Sequence, residues 1–147
     1  MKAITIQQPY AGLLVLGVKK FETRSWNTKY RGELAIHASA RITPDGQFWL
    51  NWLAAEFPDK FFPGSEWQTI CSQQGMVIGS VDLTDTFSTN QPMKIESLER
   101  MLGDFSENRY YWKCENPVVF PAPIPAKGAL SLWNWESVQP FTLQNPW

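Results

Sequence analysis

The most informative stretch of this sequence is Gly17-Val18-Lys19-Lys20-Phe21-Glu22-Thr23-Arg24-Ser25-Trp26. Its second part is predicted to form a strand over Lys20–Trp26, in which alternate side chains lie on one face. The side chains on one face are then those of Lys20, Glu22, Arg24 and Trp26. Two cations, one carboxylate and one aromatic ring rarely build a core, but together they suit a phosphate-bearing ligand with a stackable base. The alternative is an exposed strand whose charged side chains pair with one another.

Each residue type on this face has a role in recognising a nucleotide. Arginine offers phosphate a rigid fork of donors, and lysine offers a mobile point charge. Tryptophan provides a plate on which a base can stack. Glu22 either accepts a hydrogen bond from a base amino group or holds Arg24 in place.

His37 is the only histidine, and it stands two residues before Ser39 in the predicted strand Glu33–Ser39. Residues at i and i+2 share a strand face without having to touch, so two hypotheses stay open. One is a nucleophile with its base. The other, which we prefer, is a hydrogen-bonded histidine near the rim of a pocket.

Outside this stretch the chain alternates short strand patterns with short helix patterns. The predicted strands are Lys2–Ile6, Lys20–Trp26, Glu33–Ser39, Met76–Asp85, Arg109–Cys114, Val118–Phe120 and Ala129–Trp133. Predicted helices begin at Pro9, after the Thr43 cap and after the Ser65 cap, and a fourth covers Ile95–Leu102. Four prolines confine the chain after Cys114 to edges and loops: Pro117, Pro121, Pro123 and Pro125. The fold class is therefore α+β, a small mixed β-barrel with a few short flanking helices rather than a doubly wound sheet.

The composition is that of one globular domain of 147 residues, with 44% hydrophobic and 18% charged residues. The net charge is −1, but residues 1–41 carry seven basic and two acidic side chains. This asymmetry indicates a basic binding face on an otherwise acidic body. Most of the eight tryptophans are expected in the core, and some at a surface that binds a ligand. Phe48, Trp49, Trp52 and Leu53 form one helical stripe, which favours core packing.

The residue types that hold metals are scarce. Two cysteines, Cys71 and Cys114, and one histidine form no CxxC pair or ligand cluster, so neither a zinc site nor another cofactor is predicted. The N-terminus has no secretory signal pattern, and the apolar stretch Ala11–Val18 is far shorter than the ~20 residues of a membrane span. We expect a reduced, soluble, cytoplasmic protein without a membrane partner.

Several motifs together carry a family resemblance. They are Gln7-Gln8-Pro9-Tyr10-Ala11, the GxKxxExR run Gly17–Arg24, Tyr30-Arg31-Gly32 and Ile36-His37-Ala38-Ser39. With these motifs the chain resembles the ASCH domain, the activating-signal-cointegrator homology family of the PUA-like superfamily. A weaker match continues through Gly79–Leu83, Trp112–Pro117 and Lys127–Trp133. The resemblance therefore implies an ASCH domain over residues 1–135 and a C-terminal extension over residues 136–147.

The resemblance implies a PUA-like pseudobarrel with a cleft beside the first helix and the GxKxxExR strand. It also implies binding of single-stranded RNA or DNA, or of a modified nucleoside within it. Phosphate contacts are expected from Lys19, Lys20 and Arg24, and base stacking from Tyr10 and Trp26. The predicted nucleic-acid-binding residues are Gln8, Pro9, Tyr10, Lys19, Lys20, Glu22, Arg24, Trp26, His37 and Ser39.

Two other functions stay open. One branch of the family is an amidohydrolase for N4-acetylcytidine, and another is described as a ribonuclease. The first alternative is therefore a hydrolase that uses Lys19 and Glu22 as an acid–base pair. In the amidohydrolase branch the nucleophile is a threonine three residues after the motif lysine, and this chain has Glu22 at that position. Thr23 comes next but would face the other way. Glu96 and Glu99 are the candidates for the second glutamate of that branch. The second alternative is a protein-interaction domain with a protein partner.

Overall fold

The computed structural model describes residues 1–136 of the chain. Its centre is one six-stranded sheet that curls into a half-barrel, with strand order β2-β5-β4-β3-β1-β6. The strands are β1 (Lys2–Ile6), β2 (Phe21–Arg24), β3 (Gly32–Ala38), β4 (Met76–Ser88), β5 (Tyr110–Pro125) and β6 (Leu132–Asn134). β1 and β3 are parallel and the other neighbours are antiparallel. The predicted α+β class and curled sheet are confirmed.

Four short helices flank the sheet: α1 (Tyr10–Val15), α2 (Pro44–Glu56), α3 (Glu66–Cys71) and α4 (Ser97–Met101). Local signals fix where two of them begin. Thr43 Oγ1 accepts the Gly46 N–H at 3.0 Å, and Ser65 Oγ accepts the Gln68 N–H at 3.1 Å. These are the N-caps that the sequence predicts, because a side-chain oxygen satisfies a backbone donor that the first helical turn leaves open. The longest of the four helices has 13 residues, and no helix within residues 1–136 is long and apolar enough to cross a membrane.

The core lies on both sides of α1. Towards the sheet, α1 packs on the buried faces of β1, β3 and β4, where Ile4, Leu14 and Ile36 are at most 1% exposed. Away from the sheet, Leu13 joins a second cluster with Leu53 and other side chains of α2 and α3. Gly12 allows this arrangement, because a Cβ there would lie 2.7 Å from Cys71 Cα. The short helix α1 is therefore held between two apolar layers, and its N-terminal end has a fixed position.

β5 differs from the prediction. The sequence predicts two strands, Arg109–Cys114 and Val118–Phe120, with the prolines between and after them as breaks. The structure has one strand of 16 residues. β2 pairs with β5 only as far as Lys113, and beyond that point the outer side of β5 has no strand partner within residues 1–136. Proline lacks the N–H that a partner strand would need, so an open edge tolerates it. The proposed extension from residue 137 onward lies outside the described residues.

Candidate functional site

A cleft of about 600 Å³ opens between β2, the N-terminal ends of α1 and α2, and the segment that follows α4. Three aromatic side chains contribute to its walls: Tyr10, Trp26 and Trp49. Six charged side chains line it as well: Lys19, Glu22, Arg24, Asp45, Asp104 and Arg109. The cleft is therefore a polar site with aromatic walls, of a size typical for small-molecule pockets.

Glu22 and Arg24 form an ion pair on the wall made by β2. Arg24 Nε donates to Glu22 Oε2 at 2.7 Å, and Arg24 Nη2 donates to the Thr5 carbonyl of β1 at 2.9 Å. Glu22 pairs with Trp112 of β5 across the antiparallel ladder, which fixes its main chain. Glu22 is only 8% exposed, and Trp26 packs edge-on against the buried ring of Trp112 at 4.9 Å between ring centroids. This wall is held in place by the sheet.

Lys19 forms a second and more deeply buried ion pair. Its Nζ donates to Glu99 Oε2 of α4 at 2.9 Å, and the two side chains are 1% and 8% exposed. Glu99 also accepts the backbone N–H of Lys20 through Oε1 at 2.7 Å. This carboxylate fixes the turn before β2, so that Lys19 points into the cleft and Lys20 out of it. Lys19 and Glu22, predicted as one acid–base pair, therefore belong to two separate ion pairs.

Tyr10 ties α1 to α2 across the mouth of the cleft. Its hydroxyl donates to Asp45 Oδ2 at 2.7 Å. Burial, the hydrogen bond to Asp45 and the negative charges of Asp45 and Glu22 all raise the pKa of Tyr10 well above its ordinary value. The hydroxyl thus stays a donor in ordinary buffers. Trp49 lies one turn after Asp45 on α2 and adds its ring to the same wall.

The opposite wall is the segment between α4 and β5. Asp104 accepts hydrogen bonds from the Ser106 hydroxyl at 2.6 Å and from the Ser106 backbone N–H at 3.1 Å, and its Oδ2 lies 3.4 Å from Arg109 Nε. Chiefly because of the Ser106 bonds, the pKa of this carboxyl is below its usual range. The Asp104 N–H donates to Thr23 Oγ1 at 3.1 Å. Thr23 was expected to face away, yet it lines the cleft, because this segment packs over the other face of β2.

Each of the three cations in the cleft is paired with a carboxylate. Lys19 pairs with Glu99, Arg24 with Glu22, and Arg109 with Asp104. The basic surplus of residues 1–41 is therefore not concentrated here as an open patch. Such a cleft is better suited to the base and sugar of a nucleotide than to a run of phosphates, which bind to unpaired cations.

Other residues predicted for the site lie outside the lining of the cleft. Gln8 is fully buried, where its side chain bridges the Ile70 and Gln73 carbonyls and the Gly12 N–H. Pro9 is buried beside it, Lys20 is exposed with its Nζ 3.5 Å from the Gly17 carbonyl, and Ser39 lies at the end of β3. Gln8 therefore organises the start of α1, and other residues line the cleft.

His37 is 1% exposed and also lies away from the cleft lining. Its Nδ1 is 3.1 Å from Thr5 Oγ1, and its Nε2 is 2.7 Å from the Ala126 carbonyl. Because a carbonyl only accepts, Nε2 carries the proton, and Nδ1 accepts from the threonine hydroxyl. Trp133 Nε1 donates in turn to Thr5 Oγ1 at 3.2 Å. The two ring nitrogens thus join β3 to Thr5 of β1 and to Ala126, just after β5, and neither bonds to Ser39.

Sequence reasoning missed Trp49, Asp104 and Arg109, and it treated Trp49 as core. One local signal was available for Trp49: it lies four residues after Asp45, so the two share a helix face. Asp104 and Arg109 lie in a loop far along the chain, and only the topology brings them to β2. Within residues 1–136, no cluster of three or more histidine, cysteine, aspartate or glutamate side chains is placed to hold a metal ion.

Comparison with known proteins gives consistent results. The model of the ASCH domain family matches residues 4–124. The chain is 28% identical over 142 residues to human activating signal cointegrator 1 and 29% identical over 137 residues to the mouse protein. These matches cover 91% of this chain but only 22% of either relative, so the chain spans about a fifth of their length.

The solved structures agree on the fold. The ASCH protein of Zymomonas mobilis superposes with a TM-score of 0.52 at 14% identity, covering 99% of this chain and 94% of that one. A Tyr-to-Phe mutant of the same protein gives the same TM-score and identity, with 99% and 96% covered. At this identity the likeness concerns the fold alone, and that fold is PUA-like.

Proposed function

Because the chain belongs to the ASCH domain family, we propose that its cleft binds one nucleoside of a single-stranded RNA or DNA. The observation that carries this proposal is the combination of Tyr10, Trp26 and Trp49 with the Arg24–Glu22 pair in one cleft of about 600 Å³. An aromatic ring provides a stacking surface for any base. Arg24 retains guanidinium N–H groups beyond the two that are bonded, and these can donate to an adjacent phosphate or sugar.

The pairing of the cations predicts how this binding depends on salt. Each phosphate that a protein neutralises on a single strand adds about 0.7 to the slope of log K against log[salt]. Since all three cations of the cleft are already paired, we expect neutralisation of only about one or two phosphates, mainly by the N–H groups of Arg24 that are not bonded. The slope should therefore be shallow, near 1, and should become flatter in Arg24→Ala.

The decisive experiment compares two tryptophans of α2. Trp49 lines the cleft and Trp52 does not, yet both are half-buried and their rings contact each other at 5.3 Å between centroids. Loss of a stacking ring reduces binding by about 1–3 kcal/mol. Trp49→Ala should therefore weaken binding of a labelled single-stranded hexamer roughly tenfold or more, measured by fluorescence anisotropy with RNA and DNA versions. Trp52→Ala should reduce thermal stability while leaving the affinity of the folded protein unchanged. Equal affinities for the two variants would contradict the proposal.

A second candidate, a hydrolase acting on an acylated nucleoside or on RNA, is favoured by one observation. Lys19 and Thr23 both lie near Gly103 in the cleft wall, where a Cβ would lie 3.4 Å from Lys19 Nζ and 3.3 Å from the methyl carbon Cγ2 of Thr23. The Thr23 hydroxyl accepts the Asp104 N–H. An amine and a hydroxyl on one wall are groups that hydrolases use as base and nucleophile. Incubation with N4-acetylcytidine and with labelled RNA tests this candidate. Turnover that disappears in Thr23→Val, with folding intact, would favour it over simple binding.

A further inference from the structure

The Glu22 carboxylate has one oxygen that the protein leaves unpaired. Oε2 accepts from Arg24 Nε at 2.7 Å, whereas Oε1 has no hydrogen-bond partner among residues 1–136 and reaches the surface of the cleft. The residue as a whole is only 8% exposed, and this oxygen belongs to its accessible part. A ligand that enters the cleft displaces water from it, and a charged acceptor that loses water without gaining a donor is unfavourable.

The position of this oxygen is fixed by the sheet and by Arg24. The Glu22 main chain is paired with Trp112 in the sheet, and its Oε2 is held by Arg24, which is itself anchored on the Thr5 carbonyl. The aromatic rings of Tyr10 and Trp26 contribute to the walls of the same cleft. A base that stacks on one of these rings therefore meets a pre-positioned acceptor that carries negative charge.

A phosphate is not a suitable partner for this oxygen. Two anions repel each other, and the neighbouring cation, Arg24, is already shared with the same carboxylate. The partner must be a donor, and the exocyclic amino groups are donors at the edges of cytosine, adenine and guanine. Glutamate accepts in this way from the N4 amino group of cytosine.

We propose that Glu22 Oε1 accepts a hydrogen bond from the exocyclic amino group of the bound base, so that the cleft selects amino-bearing bases. This inference rests on the proposed function, because it assumes that a base enters the cleft. Cytosine, adenine and guanine carry such a group; uracil and hypoxanthine have a carbonyl oxygen or a hydrogen in its place. A uracil O4 placed at this position would set an acceptor against the carboxylate and leave it unpaired.

The test uses four RNA hexamers that differ only at one central position, within a background of uridines. The central base is cytosine, uracil, guanine or hypoxanthine, and guanine differs from hypoxanthine only by its amino group. We expect wild-type protein to bind the cytosine hexamer at least about tenfold more tightly than the uracil one, and guanine more tightly than hypoxanthine by a similar factor. These two ratios need no variant, so they remain informative even if a substitution at Glu22 impairs folding.

Glu22→Gln is the matching variant. Its carboxamide can still accept from Arg24, but it is neutral and also offers a donor, so both ratios should fall towards one. Glu115→Gln is the control, because Glu115 is exposed, lies outside the cleft lining and forms only a long 3.8 Å ion pair; it should leave both ratios unchanged. Equal wild-type affinities within each pair, or ratios that persist in Glu22→Gln, would overturn the inference alone. Failure of all four hexamers to bind would overturn the proposed function as well.

Discussion

The buried Lys19–Glu99 pair gives the sharpest prediction about stability. Removing one partner of a buried ion pair leaves the other charge uncompensated and typically costs about 3–5 kcal/mol. Lys19→Met leaves Glu99 with the backbone N–H groups of Lys20 and Phe21, at 2.7 and 3.4 Å, so we expect the lower end, about 3 kcal/mol. Glu99→Ala removes the acceptor from these two amides and isolates the Lys19 ammonium, so we expect about 5 kcal/mol.

The assay is urea unfolding followed by tryptophan fluorescence, with the midpoint and the slope determined for each variant. A loss of 3 kcal/mol corresponds to a decrease of roughly 10 °C in Tm for a domain of this size. Lys20→Met is the matched control, because this neighbouring lysine is exposed and its Nζ is no closer than 3.5 Å to the Gly17 carbonyl. It should change stability by less than about 0.5 kcal/mol.

The double variant Lys19→Met/Glu99→Ala isolates the interaction itself. If the two charges compensate each other, removing both costs less than the sum of the single losses, with a coupling of about 1–3 kcal/mol. Additive losses, or a Lys19→Met protein as stable as wild type, would refute the argument. A Lys19→Met protein of unchanged stability that no longer binds or turns over a nucleoside would show instead that the lysine is kept for the ligand.

Three further predictions concern the frame of the cleft. The folded-state pKa of Asp104 is lowered, so its stabilising contribution is present above the unfolded pKa of about 3.9 and is lost as pH falls through the folded value. The protection of amides in the 102–109 segment, relative to their intrinsic exchange rates, should decrease there. Asp104→Asn should remove this pH dependence and lower the protection already at neutral pH. Tyr10→Phe removes the 2.7 Å hydrogen bond to Asp45 but keeps the ring. The free energy of unfolding in urea should therefore fall by about 1 kcal/mol, while oligonucleotide affinity is retained. A loss of affinity without a loss of stability would contradict this. Thr43→Ala removes the cap that accepts from Gly46 and should cost about 1 kcal/mol in unfolding by urea, whereas Thr43→Ser should restore most of it.

The features of the fold that depend on residues close together in the sequence could be predicted. The caps at Thr43 and Ser65 depend on a side chain and a backbone N–H three residues away, and both are present. The proline-rich end of β5 was predicted to lie in edges and loops. It does lie at an edge, but it continues the strand, since the effect of proline depends on whether a partner strand lies on that side. No local pattern shows that β2 ends its pairing at Lys113.

Strand alternation predicts the candidate site on β2 and at Trp26 just after it, and the family resemblance adds Tyr10 and Lys19. Strand alternation places Glu22 and Arg24 on one face, and both line the cleft. The same rule extended to Lys20 gives the wrong direction, because the strand begins at Phe21 and the preceding turn is fixed by Glu99, 79 residues later in the chain than Lys20. Asp104 and Arg109 reach the cleft by the same kind of long-range packing. Their positions follow from the sheet order, which the sequence pattern does not determine.

The charges of the GxKxxExR run therefore have unequal roles. A run with two lysines, a glutamate and an arginine is easily taken as a phosphate-binding strand, yet one lysine is buried against Glu99 and the other lies outside the cleft. The lysine inside the cleft neutralises Glu99, and this carboxylate fixes the turn before β2. In the Arg24–Glu22 pair, hydrogen-bonding atoms stay available to a ligand: N–H groups of the arginine and one oxygen of the glutamate. A donor and an acceptor side by side, next to aromatic rings, match the edge of a base rather than a phosphate. This is why the comparison of bases that differ by one amino group tests the site more directly than a comparison of net charge.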